Sequence, residues 1–213
     1  MSVSPSGVLP RIGPSPEGDP ELQKHTALLD AAVSYLVAHP RASLAQIAAA
    51  AGIGRTTLFK LFATRDELEH AVAVRALAVC QAAVDEADSR WAHRSDDGGL
   101  RALVTALLPI GPQLNFIWRT PSLDVDDEVH RVYLQLDRSL IAVLGRARSA
   151  GVLRDLPDWW LGQSLYALVY VAWESVQSGR LARLDAPDLV LDTMLSGVGA
   201  PSPTHTSTRR STR

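Results

Sequence analysis

The sequence of 213 residues contains little cysteine, little lysine and no long uninterrupted apolar run. Its single cysteine, Cys80, can form neither a disulfide framework nor a cysteine-based metal cluster, which is typical of proteins in a reducing cytoplasm. No apolar run approaches the ~18 residues that a membrane-spanning helix needs. The N-terminus also lacks the charged segment followed by an apolar one that marks a signal peptide. These absences predict a cytoplasmic protein that does not use a membrane.

Recognisable catalytic and metal-binding spacings are absent as well. The histidines are scattered without an HExxH or paired-ligand pattern, and Cys80 has no activating partner nearby in sequence. One acidic cluster precedes a predicted helix, where carboxylates favour the helix dipole, so capping explains it better than a cation site. Its members are Asp124, Asp126, Asp127 and Glu128. The sequence therefore predicts no enzyme, no cofactor and no metal, and an enzyme remains an alternative of a different class.

Helical signals are present almost throughout. Apolar residues make up 46% of the chain, which is enough for a globular core, and no stretch alternates for long enough to form a sheet. We therefore predict an all-α protein. Residues 1–21 are rich in Pro, Gly and Ser, and we predict a disordered arm there. Residues 200–213 are predicted to form a disordered basic tail.

Near the N-terminus the sequence predicts two helices followed by a tight turn. The first helix, at about 22–38, ends before Pro40, because the residue preceding a proline avoids helical backbone. Ser43 and Gln46 have the spacing of a capping box, which opens a second helix. Gly52 then supplies the turn, since glycine adopts left-handed backbone without penalty.

Two further helices complete this unit. A short third helix is predicted at about 55–61, and Thr64 with Glu67 forms a second capping box. That box opens a long fourth helix, which runs to about Arg90. Two short helices around a glycine turn, packed on a longer helix, are typical of a helix-turn-helix unit.

The predicted helix-turn-helix is positively charged although the whole chain has a net charge of −2. No acidic residue lies between residues 31 and 64, whereas Arg41, Arg55 and Lys60 do. An acid-free cationic stretch of this kind is typical of a surface that binds nucleic-acid phosphates. A charged face that is merely solvated is the alternative interpretation.

The third helix is expected to have an inner face of Leu58, Leu61 and Phe62 and an outer cationic face. Arg55 and Thr56 lie at its N-terminal end, where a recognition helix contacts base edges in the major groove. Hydroxyl groups and helix N-termini on either side can hold phosphate oxygens. The candidate DNA-binding residues are Arg41, Ser43, Arg55, Thr56, Thr57, Phe59, Lys60, Thr64 and Arg65.

The rest of the chain predicts five helices between residues 95 and 199. The segment at about 157–178 has two apolar stripes, so it must be buried on two sides. One stripe is Leu161, Leu165, Leu168, Ala172 and Val176, and the other is Trp159, Gln163, Tyr166, Tyr170 and Trp173. The last helix has Val190, Leu191, Met194, Leu195 and Val198. We expect the second stripe and the last helix to form a four-helix bundle with a second subunit, giving a homodimer.

The same region is rich enough in aromatic residues to line an apolar ligand cavity, with a few polar anchors. The candidate ligand-binding residues are Phe116, Trp118, Arg119, Tyr133, Gln163, Tyr166, Tyr170, Trp173 and Glu174. The alternative is that these aromatic side chains fill the core or the subunit interface.

The run SLAQIAAAAGIGRTTLFKLFATRDEL resembles the DNA-binding signature of the tetracycline-repressor (TetR) family. Leu29-Asp30-Ala31-Ala32 lies one helix upstream, where that family has a similar run. Two positions depart from the family pattern: Phe59 replaces a usual tyrosine and Gly54 replaces a usual serine. The missing hydroxyl groups remove two phosphate contacts that are common in the family.

The resemblance implies a DNA-binding domain at 22–82 and a helical dimerisation and ligand-sensing domain at 83–199. It implies a regulator, most often a repressor, that binds double-stranded operator DNA as a homodimer and leaves it when a small, largely apolar ligand binds. A helical adaptor that binds only other proteins is the alternative within the same fold class.

Overall fold

The computed structural model describes residues 20–91, 98–120 and 126–198, and all the regular structure in these ranges is helical. The N-terminal helices are α1 (Pro20–Ala38), α2 (Leu44–Ala50), α3 (Arg55–Leu61) and α4 (Arg65–Trp91). They are followed by α5 (Gly98–Leu107), a short 3-10 helix (Leu108–Ile110), α6 (Gly111–Arg119), α7 (Asp127–Ser149), α8 (Asp158–Gln177) and α9 (Ala186–Val198). The all-α prediction is confirmed. Most of the predicted arm and the whole predicted tail lie outside the described residues.

The turns of the N-terminal unit form as their sequence predicts. The Ser43 amide donates to Gln46 Oε1 at 2.8 Å, and the Gln46 amide donates to Ser43 Oγ at 3.3 Å, which completes the capping box of α2. Gly52 has φ of 70°, the left-handed backbone that its turn requires. These local interactions set the angle at which α3 leaves α2.

The second capping box differs in one partner. Thr64 Oγ1 accepts a hydrogen bond from the Glu67 amide at 3.2 Å, as predicted. The Glu67 carboxylate, however, accepts from the amide of Ala63 at 2.8 Å, one residue before the position expected. The side chains of Thr64 and Glu67 therefore accept hydrogen bonds from amide groups at the start of α4.

The acidic cluster before α7 acts as a cap. The Asp126 carboxylate accepts from the amides of Glu128 and Val129, both at 3.0 Å. These bonds, with the one to Val129 contributing most, and the neighbouring His70 lower the pKa of Asp126. The predicted capping role is confirmed for Asp126, whereas Asp124 lies outside the described residues.

Buried side chains form two clusters, and α4 contributes to both. The first cluster joins α1 to α3 and contains Leu68 and Val72 of α4, whereas the second contains Val84 and Ala87. Two residues from the second half of the chain, Phe116 of α6 and Val129 of α7, pack in the first cluster. Because Phe116 packs there, α6 is in direct contact with the N-terminal helices. The domain boundary at residues 82 and 83 stays a prediction.

The prediction that Leu61 of α3 faces the core is wrong. Leu58 and Phe62 are buried, but Leu61 is 48% exposed. The chain leaves the helix at Phe62, whose backbone is extended with φ of −137°, and this turns the Phe62 side chain inward. Leu58 and Phe62 therefore fill the core at the end of α3, and Leu61 stays on the surface.

The expectation that no segment is apolar enough to cross a membrane was too strong. Residues Gly99–Arg119 meet that criterion by length and composition alone, with a mean hydropathy of 1.3. In the structure this stretch is divided between α5, the 3-10 helix and α6. Leu100, Leu103 and Leu107 of α5 are buried within the second cluster. Packing inside the protein therefore accounts for the apolar composition of this segment.

Candidate functional site

The outer face of α3 presents the side chains that the sequence predicts there. Arg55, Thr56, Thr57 and Lys60 are all exposed, and Leu58 points into the core. Their neighbour in the turn between α1 and α2, Arg41, is exposed as well. Three cationic residues of the acid-free stretch, Arg41, Arg55 and Lys60, are therefore exposed to solvent.

Phe59 is 40% exposed and has a partner on its own helix. The guanidinium carbon of Arg55 lies 5.2 Å from the centroid of the Phe59 ring, a cation–π arrangement. The contact covers part of the exposed ring, and it holds the Arg55 side chain along the outer face of α3. It therefore orients the cation that we predict to contact bases.

Arg65 has contacts within the protein that the sequence did not reveal. Its Nε donates to Glu69 at 2.6 Å, and one terminal nitrogen donates to the Pro40 carbonyl at 2.8 Å. The other terminal nitrogen donates to the carbonyl of Ala42. Arg65 thus fastens the turn that carries Arg41 onto α4, and its donors are turned towards the protein. Arg65 therefore holds this turn in place, and its contact with phosphate stays a prediction.

The hydroxyl groups of Ser43 and Thr64 are also engaged. Each accepts the amide hydrogen bond that caps its helix, and Ser43 Oγ additionally lies 3.0 Å from Gln46 Oε1. A phosphate contact from either hydroxyl group has to coexist with, or replace, that cap. They therefore remain weaker phosphate candidates than the cations.

Two polar links between helices were not predicted. Arg75 of α4 donates to both carboxylate oxygens of Asp30 on α1, at 3.0 and 2.9 Å. His70 of α4 lies 2.6 Å from Asp126 and 3.5 Å from Glu128, at the start of α7. His70 and Asp126 are separated by 56 residues in sequence, so no local pattern could have indicated this link.

Four of the predicted ligand residues form an aromatic ladder along α6 and α8. The rings of Trp118 and Tyr166 stack at 4.1 Å between centroids, with an interplanar angle of 13°. Tyr166 is followed by Tyr170 at 6.4 Å and then by Trp173 at a further 6.3 Å. The Tyr166 hydroxyl donates to the Leu114 carbonyl at 3.3 Å, and burial raises its pKa above the usual range. The part of the second stripe from Tyr166 to Trp173 therefore packs on α6, whereas Trp159 and Gln163 are exposed.

Beside the ladder lies a small apolar cavity of about 50 Å³. It is lined by Cys80, Val84, Leu107, Leu114, Leu136, Leu140, Leu165, Tyr166 and Val169. Sites for drug-sized ligands have volumes of ~300–1,000 Å³, so this cavity must widen before it can admit such a molecule. Tyr166 belongs to both the ladder and the cavity wall.

The other predicted ligand residues lie elsewhere. Phe116 and Arg119 line a separate groove of about 260 Å³ between α6 and the N-terminal helices. Tyr133 is partly exposed on α7. Gln163 and Glu174 are exposed on the outer face of α8. None of these five residues lines the cavity beside the ladder, although the positive charge of Arg119 acts on Tyr166. The nine predicted ligand residues are therefore divided between the ladder, the groove and exposed positions.

The exposed face of α8 and α9 also differs from the one expected. Val190, Leu191 and Met194 are buried within the protein's own core, and Leu195 packs against it. The side chain of Val198 lies outside the described part of the structure. The residues left exposed on α8 and α9 instead include Trp160, Ala167, Val171 and Leu189. Val171 is 57% exposed and Leu189 is 52% exposed, so both apolar side chains lie on the surface of this face.

No group of three or more His, Cys, Asp or Glu side chains suited to a metal ion occurs within the three described ranges.

The Cys80 thiol is predicted to react very slowly in the native protein. Burial raises its pKa to about 12, and only the thiolate is nucleophilic. At pH 8 a disulfide reagent such as DTNB should label native protein on the order of a thousandfold more slowly than protein unfolded in guanidinium. Raising the pH should increase the native rate until unfolding begins. Equal rates for native and unfolded protein at pH 8 would show that Cys80 is not buried.

No protein-family model matches the chain. The HTH-type transcriptional repressor LfrR of Mycolicibacterium smegmatis is 31% identical over 185 residues, which are 87% of this chain and 95% of LfrR. The crystal structure of LfrR in complex with proflavine has a TM-score of 0.72 at 30% identity and covers 84% of this chain and 98% of LfrR. A TetR family regulator from Marinobacter aquaeolei VT8 shares the fold, with a TM-score of 0.64, 18% identity, and 85% and 98% of the two chains covered.

These relatives are transcriptional regulators, and the similarity to LfrR spans both halves of the chain. The resemblance carried by the glycine turn and the residues around it is thereby confirmed. This chain belongs to the TetR family of transcriptional regulators.

Proposed function

We propose that this protein is a cytoplasmic, non-catalytic repressor that binds operator DNA as a homodimer and is released by a small, largely apolar ligand. The observation that carries the proposal is the exposed outer face of α3, where Arg55 and Lys60 project from an acid-free part of the chain. LfrR is a repressor by name, and a complex of it with proflavine has been crystallised. Both facts favour repression and ligand response here.

In the proposed complex α3 enters the major groove. Arg55, held along the helix by Phe59, makes two hydrogen bonds to a guanine edge, and the Thr56 methyl packs against a thymine methyl. Lys60 and Arg41 contact phosphates on either side of the groove. Thr57 and the ring of Phe59 contact the sugar-phosphate backbone, and Ser43 and Thr64 add hydroxyl contacts where their caps permit.

The homodimer is proposed to form through the exposed face of α8 and α9. Pairing of two such faces about a twofold axis covers Trp160, Ala167, Val171 and Leu189 in a four-helix bundle. Gln163 and Glu174 would lie at the edge of this bundle rather than in a ligand pocket. The arrangement holds two copies of α3 at a fixed separation, which a palindromic operator requires.

The ligand is proposed to enter between α6 and α8, where the ladder borders the small apolar cavity. Displacement of the Tyr166 ring opens the space lined by Cys80 and Leu165. Gln113 of α6 has a buried Oε1 atom with no hydrogen-bond partner in the described part of the chain. Because Gln113 is adjacent in sequence to Leu114 of the cavity wall, this atom offers the ligand a hydrogen-bond acceptor. A ligand shifts the equilibrium only if it binds the opened form better than the closed one. Phe116 of α6 packs among the side chains of the N-terminal helices. Opening of the space between α6 and α8 would therefore displace those helices.

The roles of Arg55 and Lys60 predict different effects on DNA binding. Arg55→Ala is expected to weaken operator binding by about 1–3 kcal/mol and to relax specificity at one base pair of each half-site. Lys60→Ala should weaken operator and random DNA alike and reduce the salt dependence. Fluorescence anisotropy with operator and scrambled duplexes at several salt concentrations measures both effects.

Arg183→Ala, in the exposed segment between α8 and α9, is the matched control and should behave as the wild type. With Arg41 and Lys60 of each subunit on phosphates, four contacts in all, the slope of log K against log salt should be about −4 for the wild type. A slope near zero, or equal losses for all three variants, would contradict the proposed contacts.

A further inference from the structure

A groove of about 260 Å³ lies where α6 packs against α1 and α4, apart from the cavity beside Cys80. Its apolar walls come from Leu36 and Val37 of α1 and Phe116 of α6. Arg119 and Asn115 of α6 give it a polar side. The groove thus combines an apolar surface with a small number of polar groups, as ligand sites do.

The polar side of the groove has an unbalanced positive charge. Arg65 and Glu69 both line it, and they form an ion pair with each other at 2.6 Å. Arg119 has no ion-pair partner in the ranges that the structure describes. The Asn115 side chain, which is 4% exposed, is the one buried polar residue of those ranges and lies on the same groove. An amide and a guanidinium group together suit a carboxylate.

We propose that this groove binds a small carboxylic acid with an apolar body, of the size of a monocyclic aromatic acid. The carboxylate contacts Arg119 and the Asn115 amide, and the ring lies against Phe116, Val37 and Leu36. The volume is just below the ~300 Å³ at which drug-sized sites begin, which favours a single ring over a fused-ring molecule.

Occupancy of the groove weakens operator binding, and this part rests on the proposed function. A carboxylate in the groove competes with Glu69 and with the carbonyls of Pro40 and Ala42 for the Arg65 guanidinium. Once Arg65 is drawn towards the ligand, the turn that carries Arg41 loses its attachment to α4. The ligand also ties α6 to the N-terminal helices, so it changes both the recognition surface and its angle to the second half of the protein.

Benzoate and its neutral analogue benzamide test the chemistry without DNA. Isothermal titration calorimetry of the full chain should show benzoate binding at least about tenfold more tightly than benzamide, because only benzoate pairs with Arg119. Arg119→Gln should remove this preference and Arg119→Lys should restore part of it. Arg138→Gln, on α7 outside the groove, should bind benzoate like the wild type. Equal binding of benzoate and benzamide, or benzoate binding that survives Arg119→Gln, would overturn the proposal.

The effect on DNA is measured separately as the ratio of operator affinities with and without saturating benzoate. The wild type is expected to lose severalfold to about a hundredfold, and Arg119→Gln should lose nothing at the same benzoate concentration. Operator binding that is strong but indifferent to bound benzoate would overturn the coupling while leaving the proposed function intact. Absence of operator binding without benzoate would refute the proposed function, and the calorimetry would still decide whether the groove binds the acid.

Discussion

Replacing Val171 by Arg is expected to convert the protein from a dimer to a folded monomer that no longer binds its operator tightly. Val171 is 57% exposed and lies with Ala167 on the outer face of α8. In a twofold bundle each variant dimer would bury two unpaired guanidinium groups facing like charge, which costs about 3–5 kcal/mol or more. The dimer dissociation constant should therefore rise by a factor of about a thousand or more. A monomer presents one recognition helix and binds only half of a palindrome.

Light scattering gives the mass, circular dichroism checks folding, and anisotropy gives the operator affinity. Ala82→Arg is the matched control, because Ala82 is exposed on α4 and outside the proposed bundle. This variant should stay dimeric and bind DNA. Leu195→Arg would test the interface less well, because Leu195 packs against the protein's own core and the change would also destabilise the subunit. A folded V171R protein with an unchanged dimer mass would place the interface on other helices.

Replacing Gly111 by Ala is expected to destabilise the second half of the chain and to displace Trp173. Gly111 is buried at the start of α6, and the Trp173 indole ring lies directly on it, so that a Cβ there would overlap ring atoms. Relief requires Trp173 or α6 to move. Overpacking of this kind costs about 1–3 kcal/mol, which corresponds to a decrease in Tm of several degrees for a chain of this size. The displaced indole should also shift the tryptophan emission.

Gly145→Ala is the matched control for this change. Gly145 lies within α7, and a Cβ at that position would meet no atom within 4 Å. Alanine favours helix over glycine, so this variant should be as stable as the wild type or more stable by about 0.5–1 kcal/mol. Thermal unfolding at equal protein concentration compares the three proteins. If G111A unfolded like the wild type and had the same emission spectrum, the close contact between α6 and α8 would be wrong.

The helices of the N-terminal unit were predictable because their signals are local. Pro40, the Ser43–Gln46 box and Gly52 each act within a few residues, and the structure has all three where the sequence places them. The cationic face of α3 was predictable in part for the same reason, since helical spacing places Lys60 opposite Leu58 and brings Arg55 next to Phe59. Leu61 shows the limit, because it lies within α3 at helical spacing from Leu58 and is still exposed, which depends on packing and not on spacing.

Contacts between distant segments could not be predicted in the same way. Arg65 reaches carbonyl groups 23 and 25 residues away, and its charge alone gave no indication that they would hold it. The aromatic stripe of α8 looked like a subunit interface because nothing in its spacing shows which surface covers it. It packs on α6 because Gly111 leaves room for Trp173. The candidate ligand residues separated into a ladder, a groove and an outer face for this reason.

Selection from a pool of random DNA duplexes, followed by an affinity measurement on the selected sequence, tests the central claim most directly. The account predicts enrichment of an inverted repeat whose half-sites lie about one helical turn, or ~34 Å, apart or at a related spacing. The selected duplex should bind at least about a thousandfold more tightly than a scrambled one at physiological salt, and Arg55→Ala should erode that ratio. Failure to enrich any sequence, or equal affinity for the selected and scrambled duplexes, would contradict the account.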